Sequence, residues 1–339
     1  MRPKWLNITI TNKIIFNHIN LRYQRSIFLL LIFSCSINAQ TLFSNSFGDP
    51  KNPAIIFMHG GPGYNPVSFE LGAANTLADL DFYVITFDQR GCGRSKKDSV
   101  TDHYKFNKAN DDINTILKRH NVAQVVFIGH SWGGTEAIKF AEGFPEKVKA
   151  IILVGSPMNY QLGFKSIIQH CEEKFKVKKD STALKQLGNV KKLDSTKLEY
   201  SSMCFMFAAV NGLYSPAQSG SERDAIYEEM KKNKKAEYMS KMTSDPVYGF
   251  FMNEQYTTLD MNYYVKKVQE KKIPVYAIYG KDDGLFNQQH FDMVKKTVGD
   301  ANFVLVENAS HNVFLDQRTI FVKQVKKFLT PPPEVKKKK

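Results

Sequence analysis

Between Pro53 and Leu329 the sequence keeps returning to one pattern: a short run that is apolar at nearly every residue, then a longer stretch with helical periodicity. Ala54–Met58, Phe82–Phe87, Val125–Ile128, Lys149–Val154, Ile273–Ile278 and Phe303–Val306 are the short runs. Phe69–Leu80, Phe106–His120, Thr135–Glu142, Phe286–Val298 and Thr319–Leu329 are the longer ones. Strands apolar on both faces and separated by helices demand a mainly parallel sheet with helices on both sides. The expected fold class is therefore α/β.

The rhythm stops between residues 159 and 265. That stretch holds lysine-rich helical segments, an aromatic and methionine cluster at Tyr200–Tyr214 and a polar link at Ser215–Glu222, with no strand pattern. The pattern predicts one sheet domain, 40–158 and 266–330, interrupted by a helical cap over 159–265. Pro331–Pro333 ends the last helix, and 331–339 is a basic tail closing on Lys336–Lys339.

Composition narrows the class. Of 339 residues, 42% are apolar and 12% aromatic, too many for a disordered chain. No run approaches the 18 apolar residues of a membrane span. The formal charge of +14 permits contact with anions. The lysines are dispersed, however, and no zinc-finger spacing or other nucleic-acid motif accompanies them, so no nucleic-acid partner is expected.

Five basic and no acidic residues fall in the first 39 positions. Arg22–Ala39 sets two arginines before an apolar segment, Ile27–Phe33, followed by small or polar residues up to Ala39. That is the layout of a cleavable export signal with its cut after Ala39, and it predicts a periplasmic or extracellular protein. Export would carry Cys92, Cys171 and Cys204 into an oxidising compartment. Cys171 and Cys204, both in the insertion, are the candidate pair.

The chemistry concentrates at strand ends. Gly129-His130-Ser131-Trp132-Gly133 lies between a predicted strand and a predicted helix, where a tight turn exposes a serine hydroxyl and the helix start supplies backbone donors. A serine nucleophile needs a base, and the base an orienting acid, in the chain order serine, acid, histidine. Asp283, after Ile273–Ile278, and His311, after Phe303–Val306, fit that order. Asp282 is the neighbouring carboxylate, and His290 falls inside a predicted helix. His59-Gly60-Gly61-Pro62-Gly63 follows the first strong strand, and its glycines let backbone amides approach a developing negative charge. The amides of Gly61 and Trp132 are the candidate oxyanion donors. His59 and His130 read as positioning residues, Arg90 and Arg94 as braces for their loop. No phosphate-binding or dinucleotide fingerprint is present, and no metal or cofactor is called for.

These motifs, together with Asp88-Gln89-Arg90-Gly91-Cys92-Gly93-Arg94-Ser95, resemble the proline iminopeptidase family of α/β-hydrolases. The likeness covers about 55–158 and 270–330. It implies an α/β-hydrolase fold with a helical cap, no metal or cofactor, and release of an N-terminal residue, preferably proline, from a peptide or arylamide. Family members hold the substrate's free amino group with glutamates of the cap, usually in a tryptophan-rich helix. This chain has only Trp5 and Trp132, so such a helix is absent, and Glu254, Glu228 and Glu229 stand as candidates. Phe205, Phe207 and Tyr214 are candidates to line an apolar pocket. The same triad serves ester, lactone and general amide hydrolysis, and a noncatalytic binding module is the remaining alternative.

Overall fold

In the computed structural model of the protein, residues 41–330 are described; the expected export signal and the basic tail lie outside them. The sheet has seven strands: β1 (Ser44–Phe47), β2 (Ala54–Met58), β3 (Tyr83–Phe87), β4 (Val125–His130), β5 (Val148–Val154), β6 (Val275–Gly280) and β7 (Phe303–Val306). Their order is β1-β3-β2-β4-β5-β6-β7. All neighbours run parallel except β1, which is antiparallel to β3. Every residue of β2, β3 and β4 is buried, as strands covered on both faces require. The edge strand β1 has no apolar run of its own and arises from pairing with β3.

The longer helices are α1 (Phe106–Arg119), α2 (Trp132–Gly143), α3 (Tyr160–Lys178), α4 (Ser181–Val190), α5 (Leu198–Val210), α6 (Ser221–Lys231), α7 (Asp245–Glu254), α8 (Met261–Glu270), α9 (Gln288–Val298) and α10 (Arg318–Leu329). Six of them, α3–α8, lie between β5 and β6, the stretch without strand pattern. The segment expected as one helix over Phe69–Leu80 is broken into Val67–Phe69, a π-helical turn at Glu70–Ala74, and Asn75–Ala78. Within that turn Glu70 is buried because Arg94 binds both its oxygens, at 3.0 and 2.6 Å, and the Thr86 hydroxyl donates to it.

One apolar cluster packs the sheet against α1, α2 and the inserted helices, and a second packs the other face against Phe69, Phe314 and α10. Cys171 and Cys204 sit on α3 and α5, which pack together. Both are free buried thiols, as is Cys92, so the expected pair is not formed. Each fills apolar space as a small side chain, and burial pushes the thiols up to about 11 and 12. No helix among the described residues is long and apolar enough to cross a membrane.

Candidate active site

The sheet reverses its winding at β2, which has β3 on one side and β4 on the other. A crevice opens at the carboxyl ends of strands at such a point. Met58 pairs with Gly129, so β4 ends one residue beyond β2. The turn His59–Gly63 therefore runs beside Ser131, and a β-carbon added at Gly60 would lie 3.1 Å from Ser131 Cβ.

Ser131 joins β4 to α2 with φ 51° and ψ −122°, a conformation that costs a non-glycine residue of the order of 1–3 kcal/mol and is held only by its surroundings. The holding groups are the Val154 carbonyl, which accepts the Ser131 amide at 2.9 Å, and the Gly134 amide, which donates to the Ser131 carbonyl at 3.0 Å. Trp132 is the first residue of α2, so its amide has no carbonyl acceptor within the helix. Gly61 lines the same cleft as Ser131 and Trp132.

His311 Nδ1 donates to Asp283 Oδ2 at 2.8 Å, which leaves Nε2 as the ring's free basic nitrogen. The two residues are 5% and 1% exposed, so the pair is screened from water. The second oxygen of Asp283 accepts the Leu285 amide at 3.1 Å. His311 is boxed by the rings of His130, Tyr214 and Phe286, at centroid distances of 4.7, 5.4 and 6.4 Å. Gly155, directly after β5, has φ +53°; a β-carbon there would lie 3.1 Å from His311 Nδ1 and 3.3 Å from Asp283 Oδ2. Sequence reasoning missed it; a lone glycine at a strand end was the available signal.

Three buried histidines nearby, His59, His130 and His290, have pKa values lowered by burial. His130 Nε2 donates to the His311 carbonyl at 3.0 Å, and burial followed by the nearby His311 holds its pKa well below the usual value. His59 Nδ1 donates to the Gly60 carbonyl at 2.8 Å while Nε2 accepts the Gln89 amide at 3.0 Å. Burial lowers its pKa to about 4. His290, inside α9, accepts the Met158 amide at 3.3 Å, stacks on Phe286, and is lowered by burial to about 3. Asp282 points elsewhere and accepts the Ala217 amide at 3.3 Å. Arg90 is spent on Asp112 and Asp98, and Arg94 on Asp88 and Glu70.

A cleft opens beside Ser131. Its walls are Tyr160, Phe164 and Ile167 of α3, Phe205 of α5, and Tyr256, Leu285 and Phe286. Phe207 does not line it. The residue is buried against Phe175, at 5.9 Å between rings, because positions two apart on a helix face different ways.

The three glutamates are not brought to this cleft either. Glu254 Oε1 accepts the Phe106 amide at 2.7 Å and so caps α1. Glu228 pairs with Lys231 at 2.6 Å on the exposed face of α6, where Glu229 is also exposed. A buried carboxyl that sequence reasoning did not single out is Glu136, one helical turn beyond Trp132 on α2. Burial pushes it up to about 8, and its Oε2 has no hydrogen-bond partner. It lines a separate pocket with Arg90, Asp112 and Phe250. Among the described residues no group of three or more His, Cys, Asp or Glu side chains could hold a metal ion.

Residues 53–317 match the α/β-hydrolase fold family, and the chain belongs to it. Among the relatives, a proline iminopeptidase of Arabidopsis thaliana is 28% identical over 119 residues, 35% of this chain and 30% of that one. The chain thus matches about a third of that relative's length. A proline iminopeptidase of Pestalotiopsis fici is 24% identical over 296 residues, 86% of this chain and 97% of that one. The solved structure of a proline iminopeptidase-related protein from Thermus thermophilus superposes with a TM-score of 0.60 at 20% identity, covering 84% of this chain and 92% of that one. At that identity the likeness is one of fold.

Proposed function

We propose that Ser131, His311 and Asp283 form a catalytic triad that hydrolyses a small carbonyl substrate through an acyl-enzyme, with the helices α3–α8 as the cap over the site. The observation that carries this reading is the water-screened His311–Asp283 pair, 2.8 Å apart, at the same sheet edge as a serine in a strained strand-to-helix turn.

In the first step His311 Nε2 takes the Ser131 hydroxyl proton as Oγ bonds to the substrate carbonyl carbon. The negative charge that develops on the carbonyl oxygen is met by the amides of Gly61 and Trp132. As the tetrahedral adduct collapses, His311 gives that proton to the leaving amine or alcohol. Water then attacks the acyl-enzyme by the same route, releasing the acid and restoring Ser131. Asp283 holds the tautomer and stabilises the imidazolium in both halves.

For the acyl group, the aromatic and aliphatic walls of the cleft favour an uncharged, apolar one, as in a short-chain ester, a lactone or an N-blocked amide. The aminopeptidase reading is the second. The names of the relatives support it, and it requires a carboxylate for the substrate ammonium, since a desolvated cation without a partner is costly. Steady-state assays on proline arylamide, its N-blocked form and short-chain esters separate the two. Activity on the ester and the blocked amide supports the first reading; activity confined to the free aminoacyl arylamide overturns it.

We further infer export from the Arg22–Ala39 pattern. Protein recovered from its native cell is expected to begin near Gln40, and an intact leader on cytoplasmic protein would refute this.

A further inference from the structure

The polar stretch that joins α5 to α6 is fastened to both loops that carry the acid and the base. The Leu213 carbonyl accepts the Gly284 amide at 3.0 Å, next to Asp283. Tyr214 sets its ring edge-on to His311. The Ala217 amide donates to Asp282; past the stretch, on α6, the Glu222 carboxylate accepts the Thr319 amide of α10 at 3.2 Å.

The innermost of these ties is an ion pair. Arg223, on α6, sets Nε 3.0 Å from Asp316 Oδ1, a contact of opposite charges rather than a hydrogen bond. The other oxygen, Asp316 Oδ2, accepts the Ser310 amide at 2.8 Å, and Ser310 immediately precedes His311. Asp316 is 3% exposed, so its charge depends on these partners. The guanidinium is itself steadied: Nη1 donates to Ser219 Oγ at 3.2 Å, and the group lies 4.9 Å over the Tyr227 ring. A chain of contacts thus runs from an inserted helix through a buried carboxylate to the backbone beside the base.

We propose that Arg223 is a positioning residue for His311, acting through Asp316 and the Ser310 amide, so that the seating of α6 controls the His311–Asp283 bond. The proposal rests on the reading of His311 as the base.

The test uses the full protein. A low-field proton NMR resonance reports the His311 Nδ1 proton on Asp283 and is assigned by its loss in His311→Ala. Arg223→Gln is expected to broaden or shift that resonance and to lower kcat about tenfold with KM within twofold, since small misplacements of a reacting group are costly. Arg223→Lys, which keeps the charge, is expected to restore both. Should Arg223→Gln fail to fold, Asp316→Asn gives the same readouts, because it keeps an oxygen for the Ser310 amide while surrendering the charge that Arg223 meets. An unchanged resonance, an unchanged kcat, or an effect confined to KM overturns the proposal. If the unmodified protein hydrolyses none of the substrates, the catalytic reading falls alone, and the resonance still decides the positioning claim.

Discussion

His311 Nδ1 and Asp283 Oδ2 lie 2.8 Å apart at the ends of neighbouring strand-to-loop connections, with Gly155 passing close enough that a methyl group there would press on both. The bond fixes which imidazole nitrogen carries the proton, and so which one is free to act as base.

Removing the Asp283 charge while keeping its shape tests that bond. Asp283→Asn is expected to lower kcat by about 10⁴, the scale set by loss of the correct tautomer. Ser131→Ala and His311→Ala should each cost several orders of magnitude, and the double variant little more, because the residues act as a unit. Steady-state kinetics and fluorophosphonate labelling check this; undiminished labelling of Ser131→Ala would remove it as the nucleophile.

Gly155→Ala tests the approach of β5 to the pair. The positive φ costs an alanine about 1–2 kcal/mol, and the new methyl meets His311 Nδ1 at 3.1 Å. The expected outcome is a folded protein with a melting temperature lower by a few degrees and kcat reduced at least about tenfold. A variant with full kcat would show that the loops yield at this point.

Glu254→Ala separates capping from substrate binding. Loss of the Phe106 amide's acceptor should cost about 1 kcal/mol of stability. KM should stay within twofold for a free aminoacyl arylamide and for an uncharged ester alike. A rise in KM confined to the arylamide would return Glu254 to the site.

Glu136 gives stability a pH dependence of definite sign. Its carboxyl is raised from 4.5 to about 8 in the folded protein. The native state therefore binds more protons than the unfolded state between those values, and this group's contribution to stability falls as pH rises across that window. Glu136→Gln removes the penalty, so urea unfolding should show the variant gaining on the unmodified protein from pH 5 to pH 8. No relative gain would mean that Glu136 is ionised inside the fold.

The strand and motif pattern was readable in the chain because its causes are local. A strand buried on both faces must be apolar throughout, which is why the inner strands β2–β6 stand out and the edge strand β1 does not. The glycines around Ser131 and the turn after β2 are demanded by backbones that meet within a few residues of each strand end. Asp283 and His311 could be picked out because each lies on a loop after such a strand, in the chain order that a serine nucleophile in this fold calls for. What could not be read depends on groups distant in sequence. Glu254 caps α1 instead of lining the cleft, and Phe205 faces the cleft while Phe207 fills the core. Asp316 takes Arg223 and the Ser310 amide, and Glu136 is buried with one oxygen unpartnered. Each of these outcomes follows from how the inserted helices are seated on the sheet. A side chain's residue type sets what it can bond, but its partner and its dielectric surroundings exist only once the chain is packed, so tertiary structure alone decided them.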